Sequence, residues 1–205
     1  MSARIDRVVT SGIFSLDGED FDVDNNVWLI GDDDEVVVID AAHDHEPILR
    51  GVAGRKVKAI ICTHGHNDHI NAAGALSDET GAPILLHPDD EMLWQVEYPH
   101  RRFDDTLRDG LKLDIGNHRI DVLHTPGHSP GGCCLHLPGD GVLFSGDTLF
   151  HGGPGATGRS FSSYEVIVES ITNRLFTLPD DTLVNTGHGQ STTIGAEAIN
   201  LARSG

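Results

Sequence analysis

Apolar residues in this chain fall in short, nearly continuous runs, set apart by polar turns and by stretches of helical spacing. Residues 27–30 (Val-Trp-Leu-Ile) and 35–40 (Glu-Val-Val-Val-Ile-Asp) flank an acidic Asp32-Asp33-Asp34, which predicts a hairpin around that turn. The pattern then predicts a short helix at 47–52 and a buried strand at 57–62. A helix over 70–80 stops at Gly81, and another strand follows at 83–87. Residues 88–109 are polar and irregular, with Trp94, Tyr98 and Phe103 spaced through them, and predict a helix followed by a loop or lid. Strands are expected near 111–115, 119–124, 132–137 and 142–146. After these come a helix at 162–178, a short strand at 183–185 and a final helix from 195 to about 203.

Strands and helices therefore alternate in two similar blocks, an α/β (α+β) pattern. Two sheets packed together with helices outside would bury both sets of apolar strands. The expected organisation is one domain over 1–205, made of two αβ halves that meet near 105–118. The glycine-rich run at 152–158 is too short to separate domains and reads as a functional loop.

Composition narrows the partners. A chain of 205 residues can bury roughly 70% of its unfolded surface, so folding alone demands neither disulfides nor metal. Net charge is −18 with histidines neutral, and the only lysines are Lys56, Lys58 and Lys112. That balance argues against nucleic-acid and anionic-membrane binding, which need clustered basic side chains. No run approaches the ~18 apolar residues of a membrane span, and the N-terminal residues lack the apolar run of a secretion signal. The three cysteines, Cys62, Cys133 and Cys134, lie in apolar runs and are odd in number. They read as reduced, buried thiols, and the expected compartment is the cytoplasm. The expected partner is a small-molecule substrate; a homodimer is compatible with the sequence.

The chemistry concentrates in residues 64–69, His-Gly-His-Asn-Asp-His, between the strand at 57–62 and the helix at 70–80. Zinc and similar ions take imidazole nitrogen and carboxylate oxygen from backbone that fixes their directions. Gly65 is expected to let the loop turn tightly so that His64 and His66 converge on one ion. Asp68 and His69, where a helix begins, would face a second. Three later candidates, His128, Asp147 and His188, each sit at a strand end beside glycine, where the backbone can bend toward a shared point.

These segments resemble the metallo-β-lactamase-fold hydrolases, and especially their single-domain glyoxalase II-like branch. The matching pieces are Thr63-His64-Gly65-His66-Asn67-Asp68-His69, His124-Thr125-Pro126-Gly127-His128, Gly146-Asp147-Thr148 and Gly187-His188-Gly189, in the family's order from about residue 20 to residue 200. The resemblance implies a four-layer αββα sandwich of two mixed sheets with the site at one edge. It implies two divalent ions, zinc first with iron or manganese as alternatives. His64, His66 and His128 would hold the first, Asp68, His69 and His188 the second, and Asp147 would bridge them. Asp68 would also orient the catalytic hydroxide. The chain carries no plausible cysteine ligand for a second metal, which argues against antibiotic hydrolysis. It also ends without the added helical domain of two-domain glyoxalase II enzymes, which puts glutathione in question as the thiol.

The resulting expectation is a dinuclear thioesterase acting on acyl or formyl conjugates of a small thiol. The rival readings are a persulfide dioxygenase-like oxidoreductase with one iron on His64, His128 and Asp147, a lactone or phosphodiester hydrolase, and a metal-stabilised binding protein without turnover. Around the ligands, Asp40 is a candidate to orient a ligand histidine, His124 is a candidate for the same role or for a structural one, and Arg159 and Tyr164 are candidates to contact substrate.

Overall fold

The computed structural model describes residues 2–204. Two six-stranded mixed sheets lie face to face, with helices on both outer surfaces, giving four αββα layers. The first sheet contains β1 (Arg4–Leu16), β2 (Glu19–Gly31), β3 (Glu35–Ile39), β4 (Lys56–Ile61), β5 (Ile84–Leu86) and β6 (Asp105–Thr106), in that spatial order. The second runs β14 (Thr192–Thr193), β13 (Leu183–Thr186), β10 (Val142–Gly146), β9 (Cys133–Leu137), β8 (His118–His124) and β7 (Lys112–Ile115). A small ribbon, β11 (Leu149–Phe150) with β12 (Gly153–Pro154), stands apart. The chain passes from one sheet to the other between β6 and β7.

Strand alternation explains the continuous apolar runs. In β2 and β3, Trp28, Ile30, Val37 and Ile39 point between the sheets, where they meet Ile120, Val122, Leu135 and Phe144. Their neighbours Val27, Leu29, Val36 and Val38 point outward, under the helices α1 (His45–Val52) and α3 (Ala73–Thr80). A strand covered on both faces has no position left for a polar side chain, so it reads as unbroken Val, Ile and Leu. Leu143, Cys134 and Val184 line the opposite outer face, against Ile167 of α5 (Tyr164–Ser170) and Ile171 and Leu175 of the π-helical turn that follows it. Trp28 and Phe144 meet edge-on at the centre, ring centroids 5.6 Å apart, and each such buried side chain contributes about 1.5–3 kcal/mol. Cys62, Cys133 and Cys134 are free and buried.

Three elements differ from the pattern-based expectation. The hairpin expected at 27–40 is present as β2 and β3, paired from Trp28↔Ile39 to Gly31↔Val36, but a longer, unexpected one precedes it. β1 and β2 pair from Arg4↔Gly31 to Leu16↔Glu19, and the outer half of this ribbon is polar and exposed, so it carries no core signal. The helix expected over 70–80 is two: α2 (Asn67–Ile70), which carries Asp68 and His69, and α3, closed by Gly81 at φ +69°. The helix expected over 162–178 begins at the Ser163 cap, and its α-helical part ends at Ser170. The remaining helices are α4 (Glu91–Glu97) and α6 (Ile194–Ser204). Among the described residues no helix is long and apolar enough to cross a membrane.

Candidate metal centre

The seven proposed donors converge from the C-terminal ends of β4, β8, β10 and β13 and from α2. This is the sheet end where loops of an α/β fold gather functional groups. They form two adjacent groups, His64–His66–His128 and Asp68–His69–His188, whose donor atoms lie within 4.8 Å of one another in each group. Asp147 stands between the groups. Its Oδ2 is 3.6 Å from His128 Nε2 and 3.4 Å from His188 Nε2, and its Oδ1 is 3.3 Å from His69 Nε2.

Hydrogen bonds on the far side of the rings decide which nitrogen faces inward. His69 Nδ1 donates to Asp40 Oδ2 at 3.0 Å, His128 Nδ1 to the Ala156 carbonyl at 2.8 Å and His188 Nδ1 to the Asp24 carbonyl at 2.7 Å. Each leaves its Nε2 as the donor atom toward the cluster. His64 Nδ1 lies 3.1 Å from the Thr63 hydroxyl, and His66 Nδ1 lies 3.0 Å from His128 Nε2. Nε2 of His64, Nε2 of His66 and Oδ1 of Asp147 are buried without a hydrogen-bond partner. Orphaned buried polar atoms are costly, about 1–3 kcal/mol each. Those of His64 and Asp147, set among five more nitrogen and oxygen donors, fit divalent metal ions of the zinc or iron type.

Charge is divided unevenly. Burial, with the neighbouring rings, pushes His64 well below the usual imidazole range and His66 down to about 3, so both present lone pairs at neutral pH. Burial also opposes charge on His69 and His188. There, however, Asp147 and Asp68, with Asp40 for His69, prevail: His69 rises well above the usual range and His188 is pushed up to about 10. Asp147 is correspondingly held well below the carboxylate range by His69 and His188, against the opposing effect of its burial. Without metal, two imidazolium protons thus neutralise the two carboxylates; an ion entering this half displaces them.

Several supporting residues escaped the sequence reading. Asn25 Nδ2 donates to Asp68 Oδ2 at 3.1 Å, and its Oδ1 accepts from His43 Nε2 at 2.8 Å. A buried Asn25-Asn26 pair inside a strand is unusual enough to have been a signal. Asp90 is fully buried and ties two ligand loops together. It accepts from Gly65 N at 2.8 Å, Ser129 Oγ at 2.7 Å and Gly131 N at 2.6 Å. Nothing local in Pro88-Asp89-Asp90 announces this.

Gly65 also has a different reason from the expected tight turn. Its backbone is not left-handed; a Cβ there would stand 2.8 Å from Leu93 Cβ and 3.1 Å from Asp90 Cβ. Close packing of the loop on the Asp90 segment, not turn geometry, requires glycine.

The remaining candidates are placed as follows. Asp40, at φ +56°, receives Thr63 N, Thr63 Oγ1 and His69 Nδ1. His124 makes no hydrogen bond to a ligand histidine, which corrects its expected orienting role. Its Nε2 donates to the Pro130 carbonyl at 2.9 Å, bracing the loop that bears His128, and its ring stacks on His87. Arg159 pairs with Glu19 at 2.7 Å and lies over the Phe21 ring, at the hairpin tip. Tyr164 is more than half exposed at the start of α5. Phe14 packs against His66, ring centroids 5.3 Å apart, and gives the mouth of the cluster an apolar wall.

Residues 21–188 match the family model described as the metallo-beta-lactamase superfamily. The hydroxyacylglutathione hydrolase GloC of Haemophilus influenzae is 31% identical over 191 residues, 84% of this chain and 89% of that protein. The crystal structure of the BLEG-1 B3 metallo-beta-lactamase superposes with a TM-score of 0.80 at 30% identity, covering 96% of this chain and all of that one. The crystal structure of TTHA1623 in a di-iron-bound form gives 0.76 at 32% identity, over 86% of this chain and 93% of that one.

Proposed function

The chain belongs to the metallo-beta-lactamase superfamily, and from that premise we propose that it is a dinuclear thioesterase, hydrolysing acyl or formyl conjugates of a low-molecular-weight thiol. One observation carries the reading: two three-donor groups share the Asp147 carboxylate between them. The second group, Asp68, His69 and His188, would have no task in a one-iron oxygenase built on His64, His128 and Asp147, so the arrangement favours two ions over one. Likeness to a hydroxyacylglutathione hydrolase supports the thioester substrate.

A bound pair of divalent ions would supply Lewis acidity, lowering the pKa of a water toward neutrality and stabilising the developing oxyanion. The chain's own groups do the rest. Asp68, fixed by Asn25, orients the attacking water. Asp147 holds the two halves of the site at one distance. Phe14 excludes water from one side of the mouth. A thiolate leaves without protonation, which suits a cluster whose imidazoles are all committed to ligation. The substrate is a small molecule, and a net charge of −18 disfavours nucleic acid and anionic membranes as partners.

The test is a hydrolysis panel on metal-quantified protein: acyl and formyl thioesters of glutathione, of other small thiols and of coenzyme A, together with lactones, phosphodiesters and β-lactams. Thioester turnover that vanishes in Asp147→Ala is expected. Protein carrying two ions per chain yet hydrolysing no thioester would refute the reading. A single iron with oxygen uptake on persulfides would establish the oxygenase instead.

A further inference from the structure

A second cluster of donor groups lies outside the central seven. The His87 and His124 rings stack in parallel, centroids 4.1 Å apart and planes 7° apart, and Asp89 closes the group. One donor atom from each of the three falls within 4.8 Å of the others. His124 Nε2 is committed to the Pro130 carbonyl at 2.9 Å, which leaves Nδ1 carrying the lone pair. His87 Nδ1 accepts a long hydrogen bond, 3.3 Å, from Asp89 N, which caps the Pro88–Asp90 turn, and lies 3.7 Å from Asp89 Oδ2; an ion on Nδ1 would displace that cap. His87 is 8% exposed, His124 is half-buried and Asp89 is exposed, so the group reaches solvent.

The position matters as much as the chemistry. His87 opens the 3-10 turn Pro88–Asp90, whose Asp90 secures Gly65, Ser129 and Gly131. His124 ends β8 and opens the loop that carries His128. The cluster therefore joins the two segments that Asp90 already ties together from the buried side.

We propose that His87, Asp89 and His124 form a further metal site, separate from the central cluster, which takes a first-row transition ion and clamps the 87–90 turn to the His128 loop. Two imidazoles and one carboxylate select zinc, nickel or copper over calcium and magnesium, which prefer all-oxygen sets. Its open side leaves room for water to complete the ion's shell, so the site is structural in effect and weaker than the central one.

Equilibrium dialysis of the full chain against buffered free zinc, with bound metal counted by elemental analysis, tests this. The wild type is expected to bind one ion per chain more than Asp89→Ala or His124→Gln, whatever number the central cluster holds. Its melting temperature is expected to rise in a second zinc step that Asp89→Ala lacks. Asp89 is a surface side chain, so that variant separates loss of the site from loss of folding. Equal metal counts in wild type and Asp89→Ala would overturn the proposal, and do so independently of the outcome with thioesters.

Discussion

Asp40 and His69 form a buried carboxylate–imidazole pair, Oδ2 to Nδ1 at 3.0 Å, in which both side chains are almost entirely shielded from solvent. Asp40 reaches this position because its backbone takes φ +56° just after β3, which turns its carboxylate beneath Thr63 and α2. Left-handed backbone in a non-glycine residue costs of order 1 kcal/mol or more, and three hydrogen bonds to one carboxylate offset it. The pair also decides that His69 offers Nε2 to the cluster.

Replacing Asp40 with Asn should therefore weaken metal binding by about 10–100-fold. An amide cannot accept from Thr63 N, Thr63 Oγ1 and His69 Nδ1 together. Competition with a chelator of known affinity measures the change, and wild-type affinity in Asp40→Asn would show that the pair does not orient the ligand.

Asp90→Asn should destabilise the fold by about 3 kcal/mol, since hydrogen bonds to a buried charge are worth about 1.5–3 kcal/mol each and the new NH2 would face a donor. Burial raises the Asp90 pKa, so its ionisation works against folding: that cost is absent below the unfolded value and grows as pH rises through the folded one. In the Asn variant the loss of matched bonds should outweigh relief from that cost at neutral pH. Denaturant unfolding of both proteins at pH 7 checks the sign; a more stable Asn variant would mean that desolvation dominates.

Gly187→Ala should remove metal from the Asp68–His69–His188 half. The added Cβ would stand 2.3 Å from Asp147 Oδ1 and 2.8 Å from His69 Cε1, both packed and unable to retreat. Elemental analysis should find about one ion fewer per chain than wild type. An unchanged count would mean that β13 shifts to make room.

Metal-free protein should show opposite pH responses from the two halves. His188 is raised from 6.5 to about 10. Its contribution to stability is fully present below the unfolded value and is lost as pH climbs through about 10. His66, lowered to about 3, acts in reverse: stability falls as pH drops from about 6.5 toward that value, because the unfolded chain takes the proton first. Chelated protein should thus lose melting temperature toward both extremes. Zinc affinity at the second half should rise between pH 7 and 10 as the displaced protons become easier to release. A pH-independent affinity would contradict the charge assignment.

Much of the candidate site was legible because its donors are local in sequence. Five residues of one loop and helix turn, His64 to Asp68, hold three donors, and His69 follows. Asp147 and His188 closely follow the ends of readable strands, and His128 lies in the short loop after another. The apolar runs likewise revealed two sheets covered on both faces. The polar outer half of the first hairpin was illegible, because an exposed ribbon needs no apolar alternation.

Amino-acid order alone named the candidate donors and determined the alternation of strands and helices and the acidic composition, since periodicity and side-chain chemistry are properties of neighbours along the chain. Only the folded chain decided which nitrogen each histidine turns inward, that Asn25 grips Asp68, that Asp90 joins Gly65 to Gly131, and that His124 meets His87 rather than a ligand. The last three of these link residues 25 to 43 positions apart, and such contacts form only after the sheets have brought them together.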